Sequence, residues 1–350
     1  MTMRDGIVEQ AGRFKKAIAS KDTSSYKVVK KNQLVVGFPI DEGVIYVQNH
    51  DAPGIMSPAY NVWNIDLGRV DPSYLEFALH SPRSMAYYAD KMRGTTARRR
   101  TLTADGLREM EILLPSADGQ IRVVNTLDEV RSLIEGANGQ IAMLDTLVKS
   151  RFVEMFGNPA TNSHDLPIER LSDLGVLERG KSKHRPRNAP ELRGGPDGPY
   201  PLVQTGDIAN AGLYLSTYND TYTELGLRQS KMWPKGTLCI TIAANIAQTT
   251  ILAIDACFPD SVVGFTSGRT IQNVFLHYWF SFFQSILEEQ APQAAQKNIN
   301  LRILSDLGVI APSIEKQQEF ASFVAEVDKS RFNLLKAYGS IIALFRVLFP

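Results

Sequence analysis

Two stretches of this sequence carry the same apolar pattern at one fixed separation, and that repeat limits the folds open to the chain. Leu127, Val130, Ile134, Ala137, Ile141, Leu144 and Val148 recur every three or four residues, the a and d spacing of a heptad. Asp128, Glu129, Arg131, Glu135, Asp145 and Lys149 fall on the other faces. Adding 197 to each seam number gives Val324, Val327, Arg331, Leu334, Tyr338, Ile341 and Phe345, in the same phase, with Arg331 the only charged member. The spacing predicts a long helix over Asp118–Phe156 and a second at the C-terminus. Neither can bury so narrow a stripe alone, so the economical arrangement packs the two as an intramolecular coiled coil. Two ordinary core helices are the plainer alternative.

The same offset aligns the sequence ahead of each helix. Arg100–Ser116 meets Lys297–Ser313, with Leu107 on Leu304, Pro115 on Pro312 and Ser116 on Ser313. Further on, Gln120 meets Gln317 and Phe152 meets Phe349. Each copy reads as a short apolar strand, a Pro-Ser turn, and a helix starting near a glutamine. Upstream, Pro72–Tyr88 and Asn273–Glu289 both read as aromatic-rich amphipathic helices. Gln33–Phe38, Gly43–Gln48 and Gly54–Trp63 read as strands, set against Thr237–Ala243, Ala247–Phe258 and Val262–Gln272. The expected fold is mixed α/β (α+β), two modules joined by two long helices. The stretch from Asn158 to about Asp207 has no counterpart in the first half, so the first module reads as a copy without its opening strands and loop.

Composition narrows the function classes. A chain of 350 residues holds two domains and connectors, and 44% hydrophobic with 21% charged residues is globular usage. No apolar run reaches the roughly 18 residues of a membrane span, and the N-terminus has no signal-peptide core, so a cytoplasmic protein without membrane contact is expected. Cys239 and Cys257 are too few and too far apart for a zinc site, and read as buried thiols. His50, His80, His164, His184 and His277 show no pair at ligand spacing. There is no phosphate loop, nucleotide fingerprint or nucleophile elbow: Ser267 sits one place late in Gly264–Gly268. Neither a catalytic site, a metal nor a cofactor is expected.

With a net charge of only +1, nucleic-acid binding must come from local clusters. One is Lys91, Arg93, Arg98, Arg99 and Arg100, with no acidic residue among them. The other is Arg179, Lys181, Lys183, Arg185 and Arg187, interrupted by glycine, serine and proline that mark a presented loop. Arginine can make paired hydrogen bonds to a phosphate or to the O6/N7 edge of guanine. Gln204, Thr205 and Asp207 follow at an expected strand end and add candidate DNA contacts.

Several segments resemble one family. Leu147–Pro159 (LVKSRFVEMFGNP) followed by Leu166–Asp173 (LPIERLSD) is similar to the central region of the specificity subunits of type I restriction–modification systems. So are Tyr200–Ile208, Gly54–Tyr60, and the run from Ile310 through Glu315–Phe320. The resemblance spans nearly the whole chain. It implies a non-catalytic reader of double-stranded DNA, in which two target-recognition domains each read half of a split sequence. It also implies two antiparallel helices as a spacer, onto which methyltransferase subunits dock, and a restriction/translocase subunit that joins through the complex. Residues 1–115 would be the first recognition domain, truncated at its N-terminus, and 158–312 the second. The spacer helices would be 116–157 and 313–350. About 35 residues at 1.5 Å rise make a rod of roughly 50 Å, longer than one DNA turn. The seam residues expected in contact are Leu127, Val130, Ile134, Ile141, Leu144 and Val148 with Val324, Val327, Leu334, Tyr338, Ile341 and Phe345. The departure is the missing front of the first module, some 45 to 50 residues by the internal alignment. That module then reads DNA poorly, or the start is placed late, or the gene is a partial copy that donates recognition segments by recombination. A coiled-coil interaction scaffold is the competing function.

Overall fold

The computed structural model describes residues 1–2, 6–9, 22–92, 102–183, 186, 189–243, 246–283, 286 and 299–339 in full, and the backbone of 340–348. They form two compact units, Met1–Gly136 and Ala137–Pro350.

The first unit runs β1 (Lys27–Val29), β2 (Gln33–Val36), β3 (Ile45–Val47), β4 (Gly54–Met56) and β5 (Asn61–Asn64), then α1 (Pro72–Leu79), α2 (Pro82–Lys91) and α3 (Ala104–Arg108). β2 lies between antiparallel β3 and β5, and β1 pairs with β4 in a separate ribbon. Leu34, Val36, Ile45, Leu79 and Tyr88 close the core. Three expectations change here. Gly54–Trp63 is two strands in different sheets, divided at Ser57–Tyr60. The single helix over Pro72–Tyr88 is two, because Pro82 cannot donate into the α1 ladder while Ser81 caps the new helix by accepting from the Ser84 amide. Glu111–Leu114 forms no strand and pairs with none among the described residues.

The heptad folds as one 40-residue helix, α4 (Ala117–Phe156). The seam residues Leu127 to Leu144 are half-buried, whereas Asp128, Glu129, Glu135 and Lys149 are exposed.

The second unit continues with β6 (Ile168–Arg170), α5 (Leu171–Leu174), β7 (Gly175–Arg179), β8 (Tyr200–Leu202), α6 (Thr205–Asn210), β9 (Tyr214–Leu215), β10 (Asp220–Tyr222) and α7 (Glu224–Arg228). It then runs β11 (Met232–Trp233), β12 (Leu238–Thr241), β13 (Thr249–Leu252), β14 (Ala256–Cys257), β15 (Val262–Ser267), α8 (Asn273–Phe280), α9 (Leu301–Ser305), β16 (Gly308–Ile310) and α10 (Ile314–Leu348). A five-stranded sheet has the order β7-β15-β12-β13-β9, a four-stranded sheet β10-β8-β14-β11, and β16 pairs with β6. The expected helix over Asn273–Glu289 is α8 as far as Phe280. β12 (LCIT) and β13 (TTIL) are buried at every position, so neither shows an inward–outward alternation.

Within this unit the two long helices run antiparallel. Arg151 pairs with Glu319 at 3.0 Å, Phe152 meets Phe320 edge-on at 5.4 Å, and Asp145 pairs with Arg331, so numbers fall on one helix as they rise on the other. Val148, Val324 and Val327 are buried in one cluster with Phe152, Phe156 and Phe275. Leu334 and Tyr338 are half-buried; the side chains of Ile341 and Phe345 lie outside the described residues. Arg331, the charged residue in the apolar seam, is held by Asp145 across the pair and by Asp328 at 3.6 Å on its own helix.

Candidate nucleic-acid interface

Strand pairing in the four-stranded sheet gathers residues that are far apart in sequence. Cys257 of β14 neighbours Leu202 of parallel β8 on one side and Met232 of antiparallel β11 on the other. The chain leaving β8 at Gln204, the chain leaving β14 at Phe258–Asp260, and the chain entering β11 from Arg228 therefore meet at one end of the sheet.

The second basic loop is fastened to this end by the Arg179 side chain and by the backbone of Lys181 and Lys183. Arg179 Nε donates to the Asp260 carbonyl, Ser230 Oγ donates to the Lys181 carbonyl at 2.9 Å, and the Lys183 amide donates to the Gln229 carbonyl at 3.4 Å. Gly180 permits the approach, because a β-carbon there would run into the carbonyls of Phe258 and Pro259. Ser182 and Ala189 are buried and pin the loop further. The lysine side chains at 181 and 183 project into solvent and have no ion-pair partner among the described residues. Arg185 and Arg187 lie outside the described residues.

Not every basic residue nearby is available. Lys231 pairs with Glu178 and sits 3.9 Å from the centre of the Trp233 ring, itself stacked on Phe258 at 4.7 Å. Arg193 pairs with Asp220 at 2.6 Å and covers the Tyr222 ring. Arg228, at the end of α7, is exposed and makes no ion pair among the described residues. Sequence reasoning missed it, since it stands outside any cluster and only the β8-β14-β11 pairing brings it here.

Of the three candidates after β8, Gln204 is exposed and Thr205 half-buried. Asp207 is committed to the fold: one carboxylate oxygen accepts from the Gln204 amide at 2.8 Å, capping α6, and the other accepts from Asn219 at 2.6 Å. In the first unit Lys91 is exposed at the end of α2, with Asp90 at 3.4 Å; Arg93, Arg98, Arg99 and Arg100 lie outside the described residues.

Other chemistry has little to work with among the described residues. No three His, Cys, Asp or Glu side chains gather as a metal would require. Both cysteines are buried, and burial pushes the Cys257 thiol up to about 11 and the Cys239 thiol higher still, so neither is a ready nucleophile. No helix among the described residues is long and apolar enough to cross a membrane.

Comparison with known proteins adds two findings. Residues 168–339 match the family model described as the type I restriction modification DNA specificity domain. The fold is similar to the S subunit of a type I restriction–modification system from M. genitalium, over 99% of this chain and 92% of that one, at 16% identity and a TM-score of 0.54. It is also similar, over 92% of this chain and 80% of the other, to a chain solved in a study of complex assembly and conformational transition of the type I R-M system, at 17% identity and a TM-score of 0.57.

Proposed function

We propose, from the premise that this chain belongs to the type I restriction–modification DNA specificity family and is a DNA-recognition subunit, that its second module reads one half-site through the end of the β8-β14-β11 sheet. The observation that carries this is the set of presented cations at that end: Lys181, Lys183 and Arg228 project from fastened backbone, with Gln204 beside the β8 exit. Cations without acidic partners attract the phosphate backbone, and the release of counterions drives association. Gln204 and Thr205 supply neutral donors and acceptors suited to base edges. Arg179, with Arg185 and Arg187 of the same sequence cluster, and Lys91, with Arg93, Arg98, Arg99 and Arg100, are the further DNA-contact candidates that the sequence supplies.

On this reading residues 1–115 and 158–312 are recognition modules, and 116–157 with 313–350 form the spacer that offers methyltransferase subunits a docking surface. The restriction/translocase subunit joins through the assembled complex. The chain itself is non-catalytic, and the transfer chemistry belongs to its partners. Methylome sequencing of a host with and without this gene tests the proposal. Loss of methylation at one defined motif on deletion is expected; an unchanged methylome in an expressing host counts against it.

A further inference from the structure

The five-stranded sheet ends where the second basic loop begins. β7 leaves it at Arg179, β15 enters at Val262, β12 leaves at Thr241 and β13 enters at Thr249, all at one end, because each neighbouring pair is antiparallel. Two backbone bonds join these exits and entries. The Gly180 amide donates to the Val262 carbonyl at 2.8 Å, and the Ile242 amide donates to the Ser261 carbonyl at 3.0 Å. Three strand spacings of about 4.8 Å set the β13 entry roughly 14 Å from the β7 exit. That is about four base pairs of duplex at about 3.4 Å each.

Gln248 stands at the β13 entry on backbone that is held from both sides. Its carbonyl accepts from the Thr241 amide at 3.0 Å, and its amide donates to Thr241 Oγ1 at 3.0 Å. Ala247 before it has a left-handed φ of 59°, and its amide donates to the Thr241 carbonyl at 2.8 Å. Alternation sets the side chain's direction. Thr249 and Ile251 face α8: Thr249 Oγ1 lies 3.0 Å from His277 Nδ1, and Ile251 joins the cluster of Phe275. Leu252 faces the other way and packs beside Val203, Ile208 and Trp233. Gln248 shares the parity of Leu252, so it points to the side of the sheet that carries Val203, next to Gln204. It is exposed, and its side chain makes no hydrogen bond among the described residues.

We infer that Gln248 is a specificity-determining residue of the second module, which pairs its side-chain amide with the N6/N7 edge of an adenine in the half-site. This rests on the reading that the module binds DNA at this end. A carboxamide is donor and acceptor at once, and adenine offers the matching acceptor and donor side by side in the major groove. The division of labour follows from the side chains. Lys181 and Lys183 are point charges suited to phosphates, which fix the module's place on the duplex but carry no sequence information. Gln248 is neutral, stands about four base pairs along, and is aimed from fixed backbone, so it selects.

The test compares the methylomes of hosts that carry the native gene, Gln248→Ala or Gln248→Glu. The fold uses only the backbone at this position, so both variants should melt within about 2 °C of the native chain. Gln248→Ala should relax the motif at one adenine by about tenfold or more and leave its other positions intact. Gln248→Glu, which accepts but does not donate, should shift that position toward cytosine. In DNA titrations the salt slope of Gln248→Ala should equal the native slope, since no phosphate contact is lost. An unchanged motif in both variants overturns the assignment, as does relaxation at a base other than adenine or a shallower salt slope. Failure of DNA reading itself shows separately, as a native gene that specifies no motif, and overturns the assignment with it.

Discussion

Gln120 and Gln317, 197 positions apart, make the same three hydrogen bonds in their separate units. Gln120 donates to the carbonyls of Pro115 at 3.0 Å and Arg69 at 3.1 Å, and accepts from the Asp71 amide at 2.8 Å. Gln317 donates to the carbonyls of Pro312 and Thr270, both at 2.9 Å, and accepts from the Gln272 amide at 2.9 Å. Both side chains are buried. Each ties the first turn of a long helix to the turn before it and to the chain entering an earlier helix, α1 or α8.

Replacing either glutamine with methionine keeps the volume but removes the side-chain partner of two carbonyls and an amide. The expected loss is about 2–4 kcal/mol in the affected unit. Denaturant unfolding monitored separately in the two units reads it out. A loss below about 1 kcal/mol at both sites would reduce the glutamines to passengers of the repeat.

The helix pair in the second unit should depend on Phe152, which is fully buried and meets the rings of Phe156, Phe275, Phe282 and Phe320 within 5.6 Å. Phe152→Ala should cost about 3–5 kcal/mol. Phe332, 66% exposed on α10, is the matched control, and Phe332→Ala should stay within about 0.5 kcal/mol. Equal effects would mean that the heptad phase has been misread.

His277 gives stability a pH slope. Its Nδ1 lies 3.0 Å from Thr249 Oγ1, and burial lowers its pKa to about 4, against 6.5 for the free side chain. Between those values the unfolded chain binds the proton and the folded chain does not. Stability from this group is therefore full above pH 6.5, falls as pH drops toward 4, and is flat below that. The expected loss from pH 7 to 5 is about 1–2 kcal/mol, since the residue keeps some contact with water. His277→Gln should remove this part of the slope in a thermal-melt series, and an unchanged slope would assign it elsewhere.

Much of the fold was legible because the repeat itself was. The shared phase of Leu127 and Val324, and the match of Gln120 with Gln317, follow from periodicity and from a polar group that must be satisfied once buried. The break between α1 and α2 was hidden, because aromatic spacing runs on through Ser81-Pro82 even though proline ends the ladder. The strand expected at Glu111–Leu114 failed for another reason: a strand is defined by its partner, and composition does not say whether one is present. The candidate site was half legible. The loop from Arg179 announced itself by charge, and the Gln204-to-Asp207 spacing also carries a capping interaction, in which the Asp207 carboxylate accepts from the Gln204 amide. Arg228 carried no local signal, since its position depends on pairings among β8, β14 and β11.

The salt dependence of DNA affinity tests the central claim most directly. Native chain and a Lys181→Ala, Lys183→Ala, Arg228→Ala variant, both checked for folding by circular dichroism, are titrated with duplex DNA across a range of salt concentrations. If the three side chains meet phosphates, affinity should drop and the log–log slope should become shallower by about 0.9 per contact, or about 2.7 in all. A folded variant with native affinity and native slope would contradict the account and leave this end of the sheet an ordinary solvated surface.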